Sequence, residues 1–545
     1  MEKIKKHIDS LKSMWEDIVF ILIFSFIFSF CTFIGFYLQT NTFLPVECIG
    51  YSILKSMLIS IVTTFVYIAI IKLKTKYLYK YDKKSFEIKK DDWKVFLFYI
   101  IIIFLLWIPV FLAYYPGLFS YDCRWQIPQH KGTYSNHHPL MHTLLMQLFY
   151  YKIGGKLFDS YTTGMACYTI MQMIILAIAF SYLLLFLYRF SINKKLRLIL
   201  LFFIGIFPVC SVLSISITKD IIFSAFFLIA CVVLGYWSIE PKLVSNKRFG
   251  ILYIISIIVA CLFRNNCFYG LLLMILTFLL MKNKSKEEKK IVWYTLYAIG
   301  IYILIYSGLN SITSAEDYVK SEMLSIPCQQ ISYVYKIKKD KLTGREVANI
   351  NRVLPLVKKY DPHSSDPVKF YTRIENNSVL FLKIYIKYLI KYPYLYAEAF
   401  LQNTIGYWYV FDTSSPKVYG YGLENRQGYL LTDTHNGFNI YHTSYFLKLE
   451  NLYERLFSLN EYQKLPVISI IFSIALYFWI IIFFIIYAII KKLNNVKLII
   501  LFLSGYIVTV LFGPCAIVRY AFPYMICVPV LIVSVLKNKE DIKVK

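Results

Sequence analysis

Long apolar runs recur along this chain, separated by short polar connectors. They fall at about 18–38, 52–72, 94–113, 161–187, 196–214, 220–238, 249–263, 267–281, 291–309, 467–490, 496–512 and 518–536. A helix needs roughly 20 apolar residues to cross a hydrocarbon core ~30 Å thick. The runs are continuous rather than alternating, which predicts helices and not the strands of a barrel. The pattern therefore predicts an all-α polytopic membrane protein with about 12 transmembrane helices. The two runs flanking Arg264 are short, so tilt or re-entry is expected there. Leu140 to Tyr151 is apolar but too short to span. Pro139 suits its first turn, and the segment reads as interfacial or re-entrant.

The longest stretch without a spanning run is 310–465, read as a mainly helical region outside the membrane. It divides the chain into a transmembrane module at 1–309, this region, and a second transmembrane module at 466–545. Thr343-Gly344-Arg345-Glu346 has the spacing of a helical capping box. Asp361 to Pro367 reads as a loop. Ser378 to Tyr409 is amphipathic and rich in Tyr and Trp, a composition suited to a membrane interface.

Composition sharpens the membrane reading. Of 545 residues 58% are hydrophobic, and the mean hydropathy is +0.56, above the usual soluble range. The net charge of +27 would suggest nucleic acid in a soluble protein. Here the lysines gather in short connectors, where they set topology and touch anionic lipid, so no nucleic-acid partner is expected. The basic opening leads into a run of full spanning length without a small-residue cleavage site, so no cleavable signal is read. The eleven cysteines show no zinc-type pairs.

The positive-inside rule, applied to the runs, puts both termini and the strongly basic connectors in the cytoplasm. It puts the loop at 114–160, the Lys219-Asp220 turn, the Arg264 turn, the 310–465 region and the turn before Arg519 on the opposite side. The unusual polar residues are thus expected on one membrane face.

The loop at 114–160 opens with Tyr115-Pro116-Gly117-Leu118-Phe119-Ser120-Tyr121-Asp122-Cys123-Arg124-Trp125-Gln126 and continues through Tyr134-Ser135-Asn136-His137-His138-Pro139-Leu140-Met141-His142. A carboxylate at the mouth of a low-dielectric site is suited to take a proton from a hydroxyl, which makes Asp122 the candidate general base. The bland alternative is a loop-capping Asp. Lys219, Arg264 and Arg519 each stand at a turn between apolar runs, at the depth of a lipid-linked phosphate. Arg binds phosphate bidentately and Lys as a point charge, and both stabilise charge growing on a phosphate leaving group. The alternative is snorkelling to the interface. Asp220 is expected to pair with its neighbour Lys219. His138 is a candidate to hydrogen-bond donor or acceptor. His138 and His142, four apart, would share a helix face as paired metal ligands do, so a divalent metal is the alternative to a site with no cofactor. Arg124, Gln126, His137, Gln329, Gln330 and Trp408 are weaker candidates for substrate contact. The chain has no phosphate-binding glycine loop, nucleophile elbow or kinase signature.

The loop from Tyr115 to Gln126 and its continuation from Tyr134 to Leu145 resemble the first outer loop of GT-C superfamily glycosyltransferases. The closer likeness is to a bacterial branch related to the dolichyl-phosphate-mannose mannosyltransferases and the aminoarabinose transferase of lipid A. Ile217-Thr218-Lys219-Asp220, Phe263-Arg264-Asn265-Asn266, Ile326-Pro327-Cys328-Gln329-Gln330 and Val518-Arg519-Tyr520-Ala521-Phe522-Pro523 also look like that branch. The resemblance implies a GT-C-like fold in the cell membrane, a polyprenyl-phosphate-sugar donor, a cell-envelope glycan, lipid or protein acceptor, and inverting transfer on the outer face. It makes Asp122 the counterpart of the loop Asp in those enzymes. The chain departs from the metal-dependent members, with no Asp-x-Asp or paired-acid motif in the first loop. Two other readings stand beside it: a transporter or flippase for a lipid-linked saccharide, and an O-antigen ligase or polymerase type of enzyme, which shares the donor class but would transfer an undecaprenyl-diphosphate-linked glycan. A flippase predicts charges at mid-span and internal repeats, whereas the charges here cluster at the ends of the runs.

Overall fold

The computed structural model describes residues 2–40, 58–69, 88–119, 121–316, 323–369, 372–411, 437–457 and 468–537. The basic connector after position 72, Ser120 and the tail from 538 lie outside the described residues. Of the described residues 81% are helical, and the protein is an all-α polytopic membrane protein.

The helices are α1 (Glu2–Thr40), α2 (Leu58–Ala69), α3 (Asp92–Ala113), α4 (Tyr121–Gln126), α5 (Leu140–Gln147), α6 (Tyr161–Arg189), α7 (Lys194–Ile206), α8 (Pro208–Ile215), α9 (Lys219–Ile239), α10 (Lys247–Phe263), α11 (Asn265–Leu280), α12 (Lys286–Thr313), α13 (Ser325–Lys338), α14 (Gly344–Val353), α15 (Ser378–Lys391), α16 (Pro393–Trp408), α17 (Leu447–Phe457), α18 (Ile474–Ile490), α19 (Lys497–Leu511) and α20 (Val518–Leu536). Among the described residues seven helices are long and apolar enough to cross a bilayer: Met14–Gln39 within α1, α3, α6, α9, α12, Asn494–Leu511 and α20.

Each remaining apolar run is helical but falls short of a straight span, for a visible reason. Pro208 breaks the run at 196–214 into α7 and α8, bent by 50°, because proline cannot donate into the helix ladder. Arg264 separates α10 from α11 and has extended backbone angles. Ser473 interrupts the run at 467–490. Of the run at 52–72 only α2 is described. The short apolar stretch after Pro139 is α5, with Pro139 at the N-cap position, and the chain continues as a π-helix from Leu148 to Leu157. The capping box at Thr343 forms as the spacing predicts, with Thr343 and Glu346 bonding each other's backbone N–H groups.

The main core is built by α9, which is buried along almost its whole length between α6, α10 and α20. A second core gathers Cys328, Ile331, Val334, Ile350, Val357, Phe381, Tyr388 and Ala399. The region expected at 310–465 is therefore partly divided. Its first part folds on its own core, while Ile405, Tyr407, Trp408, Ile440 and Tyr453 join the core of the spanning helices.

Two features place the site. The first is a short parallel ladder, β1 (Leu118–Phe119) against β2 (Ser216–Ile217), with Leu118 opposite Ser216 and Phe119 opposite Ile217. Gly117 leads into it with φ +124°, where a Cβ would run into Thr169. Glycine alone fits this turn without strain. The second is the crossing of α11 and α19 at Gly270 and Gly505, where a Cβ on Gly505 would strike the carbonyl of Gly270. Small residues let helix backbones approach closely in a bilayer. Gly505→Ala is expected to force these helices apart and cost about 1–3 kcal/mol. A lowered thermal midpoint in detergent would register it, and an unchanged midpoint would refute the tight contact.

Candidate functional site

The ladder sets the register of two polar turns. Shortly beyond the ladder the two strands lead into α4 and α9, whose first turns bring Asp122 and Lys219 within 3.1 Å of each other. Two side chains of α6 hold this arrangement from below. Gln172 donates to Ser214 O at 2.8 Å and Ser216 O at 2.9 Å, and the Thr169 hydroxyl donates to Pro116 O at 2.7 Å. Both are fully buried. Polar groups within an apolar span cost free energy unless bonded, and here they bond backbone carbonyls of the buried residues Pro116, Ser214 and Ser216.

Asp122 lies in the first turn of α4 and is 3% exposed. Its Oδ2 accepts from Lys219 Nζ at 3.1 Å and from Arg519 Nη1 at 3.1 Å. Arg519 Nε also stands 3.7 Å from Asp220 Oδ2, and Asp220 Oδ1 meets Arg264 Nη1. Arg264 Nε donates to Asn266 Oδ1 at 2.8 Å, and its guanidinium lies 4.3 Å from the Tyr520 ring. Asp220, expected to pair with its neighbour Lys219, instead faces Arg264 and Arg519. As the second residue of α9 it points to a different side from the first. Two carboxylates thus meet three cations in a buried cluster drawn from four distant parts of the chain. Lys219 opens α9, Arg264 immediately precedes α11, and Arg519 lies in the first turn of α20. The positive ends of three helix dipoles therefore converge on the same place. Cationic excess and converging helix N-termini both favour an anion.

Burial alone would push the Asp122 carboxyl up. Lys219 and Arg519 overcome it and hold the group well below the usual carboxylate range. His138 sits on the other side of Lys219, with Nδ1 2.8 Å from Nζ. Burial and the Lys219 charge hold its imidazole well below the ordinary histidine range. The ring is neutral, accepts at Nδ1 and carries its proton on Nε2. The His137 ring packs edge-on against it at 4.5 Å.

His142 does not share a helix face with His138. His138 precedes α5, whereas His142 lies within it, with Nδ1 3.1 Å from Gln126 Oε1. Gln126 Nε2 donates to Thr143 Oγ1 at 3.0 Å. Gln147 Nε2 then reaches the carbonyls of Gln126, Ile127 and Gln129 at 3.1, 3.1 and 2.7 Å, fastening the end of α4. Among the described residues no three His, Cys, Asp or Glu side chains are grouped to hold a metal ion.

Burial and the Lys219 charge lower His142 to about 3. The unfolded ring titrates near 6.5 and the folded ring far below it, so the unfolded state binds the extra proton as pH falls. The stability is intact above ~6.5 and falls steadily below it, the loss reaching about 2 kcal/mol by pH 5. Wild-type protein should therefore show a thermal midpoint that falls between pH 7.5 and pH 5, and His142→Asn a flatter profile. Parallel profiles would refute this role for His142.

The other residues singled out from sequence lie elsewhere. Arg124 is exposed on α4. Gln329 donates to Asp361 O, and Gln330 bonds Tyr396 O at 3.1 Å and the Tyr385 hydroxyl at 3.0 Å. Both amides serve the second core. Trp408 Nε1 donates to Thr404 Oγ1 at 3.2 Å, and its carbonyl accepts from Trp479. None of these residues joins the cluster. Thr169, Gln172 and Gln147 do support it. Their one sequence signal is polarity inside or beside apolar runs.

The family comparison covers most of this architecture. A family of unknown function (DUF6020) matches residues 125–544. The chain belongs to that family. No curated protein and no solved structure matches it. The matched residues include Lys219, Asp220, Arg264 and Arg519 and begin three residues after Asp122.

Proposed function

We propose that this member of the DUF6020 family is an integral-membrane glycosyltransferase that moves a sugar from a polyprenyl-phosphate donor to an acceptor on the outer face of the membrane. The observation that carries the reading is the meeting of Asp122 with Lys219 and Arg519 in one buried cluster with Arg264 and Asp220. In this reading the chain crosses the membrane about twelve times with both termini in the cytoplasm, as the basic connectors suggest, which would put that end of the bundle outside.

In this reading the donor phosphate binds at Lys219, Arg264 and Arg519. At rest the cations keep Asp122 too acidic to act as a base. A phosphate that engages Lys219 and Arg519 takes these counter-charges away. Burial, no longer opposed, then raises the Asp122 pKa towards the range of a working base. The acceptor oxygen attacks the anomeric carbon and gives its proton to Asp122. The carbon–oxygen bond to phosphate breaks with its electron pair on phosphate, where the three cations stabilise the growing charge. Attack opposite the leaving group inverts the anomeric centre. His138 positions Lys219 by accepting from it.

The test is transfer of radiolabelled sugar by purified protein from a panel of short-chain polyprenyl-monophosphate sugars to cell-envelope acceptor, with and without EDTA. Transfer that survives EDTA and is lost in Asp122→Asn is the expected result. No transfer across the panel, together with binding of a lipid-linked oligosaccharide, would favour a flippase or ligase and overturn the reading.

A further inference from the structure

Helix α15 is apolar on two faces, and the fold uses only one. Phe381, Ile384 and Tyr388 turn inward to the second core. Val379, Leu382, Ile386, Leu389 and Ile390 fall on a separate stripe at i, i+3, i+7, i+10 and i+11, and are 66, 56, 46, 39 and 76% exposed. Lys383 and Lys391, two helical turns apart, are exposed beside that stripe, and between them Lys387 pairs with Glu346 of α14 at 2.7 Å. Soluble surfaces seldom carry so large a contiguous apolar patch without a partner for it. The helix has 14 residues, about 21 Å, and is too short to cross a bilayer.

The second core rests against the ends of spanning helices. Ser365 N donates to Pro514 O at 2.9 Å and Asn403 Nδ2 to Gly513 O at 3.1 Å, just beyond α19. The Phe400 ring lies 5.6 Å from that of Phe512. At the far end of α15, the Lys391 ammonium is 5.3 Å from the Tyr392 ring and Lys338 is 5.9 Å from that of the exposed Tyr394. Aromatic rings beside lysines are the usual furniture of a membrane interface.

We infer that α15 lies in the interface of the protein's own bilayer, its exposed stripe against acyl chains and its lysine edge among anionic headgroups. An apolar stripe edged with lysines is the pattern of interfacial helices. A protein partner fits less well, because lysine is depleted at protein–protein interfaces. This inference depends on the membrane fold and not on the proposed reaction.

The test uses the full chain in phosphatidylethanolamine–phosphatidylglycerol nanodiscs carrying a diazirine phospholipid, with adducts mapped by mass spectrometry. Adducts on 378–391 several-fold above those on α14 of the same region are expected. They should fall at least two-fold in Lys383→Gln/Lys391→Gln, or in phosphatidylcholine discs. Labelled spanning helices with α15 at the level of α14 would overturn the inference. So would cross-links joining two copies through Leu382 and Ile386. Adducts indifferent to both the lysines and the lipid charge would overturn the headgroup contact.

Discussion

Asp122→Asn is expected to cut sugar transfer by about 10²–10⁴-fold, the usual worth of a positioned general base, while donor binding stays unchanged or tightens. The two effects separate because Asp122 has opposing roles. Asp122 is paired with Lys219 and Arg519, so in the proposed reaction it would compete with the donor phosphate for them, and removing its charge would free the cations as it removes the base. Titration of a donor analogue beside single-turnover rates would resolve them. Weaker donor binding with an intact rate would sink the assignment. The same logic fixes the pH dependence. In the resting protein Lys219 and Arg519 keep Asp122 ionised far into the acid range, so kcat/KM should show no acid limb from this group near neutrality. With donor bound, the limb in kcat should move to higher pH. Identical limbs in both profiles would show that the cations never leave the carboxylate.

The second large effect is on folding. Asp220→Ala removes the carboxylate that faces Arg264 and leaves that buried guanidinium short of an anion, while Arg519 keeps Asp122. Breaking a buried ion pair from one side costs about 3–5 kcal/mol. The variant should lose most of its folded yield or show a sharply lowered thermal midpoint. Asp220→Ala/Arg264→Met should recover part of that loss, because it removes the stranded charge as well. Sites in contact couple, and the cycle measures that coupling. A double variant no more stable than Asp220→Ala alone would show that Asp220 supports the fold by some route other than Arg264.

Much of the site was legible in the sequence, for one reason. Asp122, Lys219, Arg264 and Arg519 are charged groups at the ends of apolar runs, where charge is costly and usually serves a purpose. Sequence places such residues at a depth but not on a side of the helix. Asp220 was therefore read as the partner of Lys219, although adjacent helical residues diverge by about 100°. Gln172 and Thr169 went unread because their role depends on which carbonyls lie opposite, a matter of packing. Gln329 and Gln330 show the converse. An amide suited to a sugar is equally suited to a backbone carbonyl, and local sequence does not separate the two. Where they are described, the apolar runs are helices. The breaks at Pro208 and Ser473 were not legible in hydropathy, whereas the short runs on either side of Arg264 marked that break in advance.

The ladder between Leu118–Phe119 and Ser216–Ile217 also bears on how this family can vary. It acts as a ruler, because the spacing from Phe119 to Asp122 and from Ile217 to Lys219 decides whether carboxylate and ammonium meet. One residue added in either interval would turn a side chain away from its partner. The exposed turn at 130–133 carries no such constraint. Length differences among relatives should therefore collect in that turn and be absent from 118–122 and 216–220.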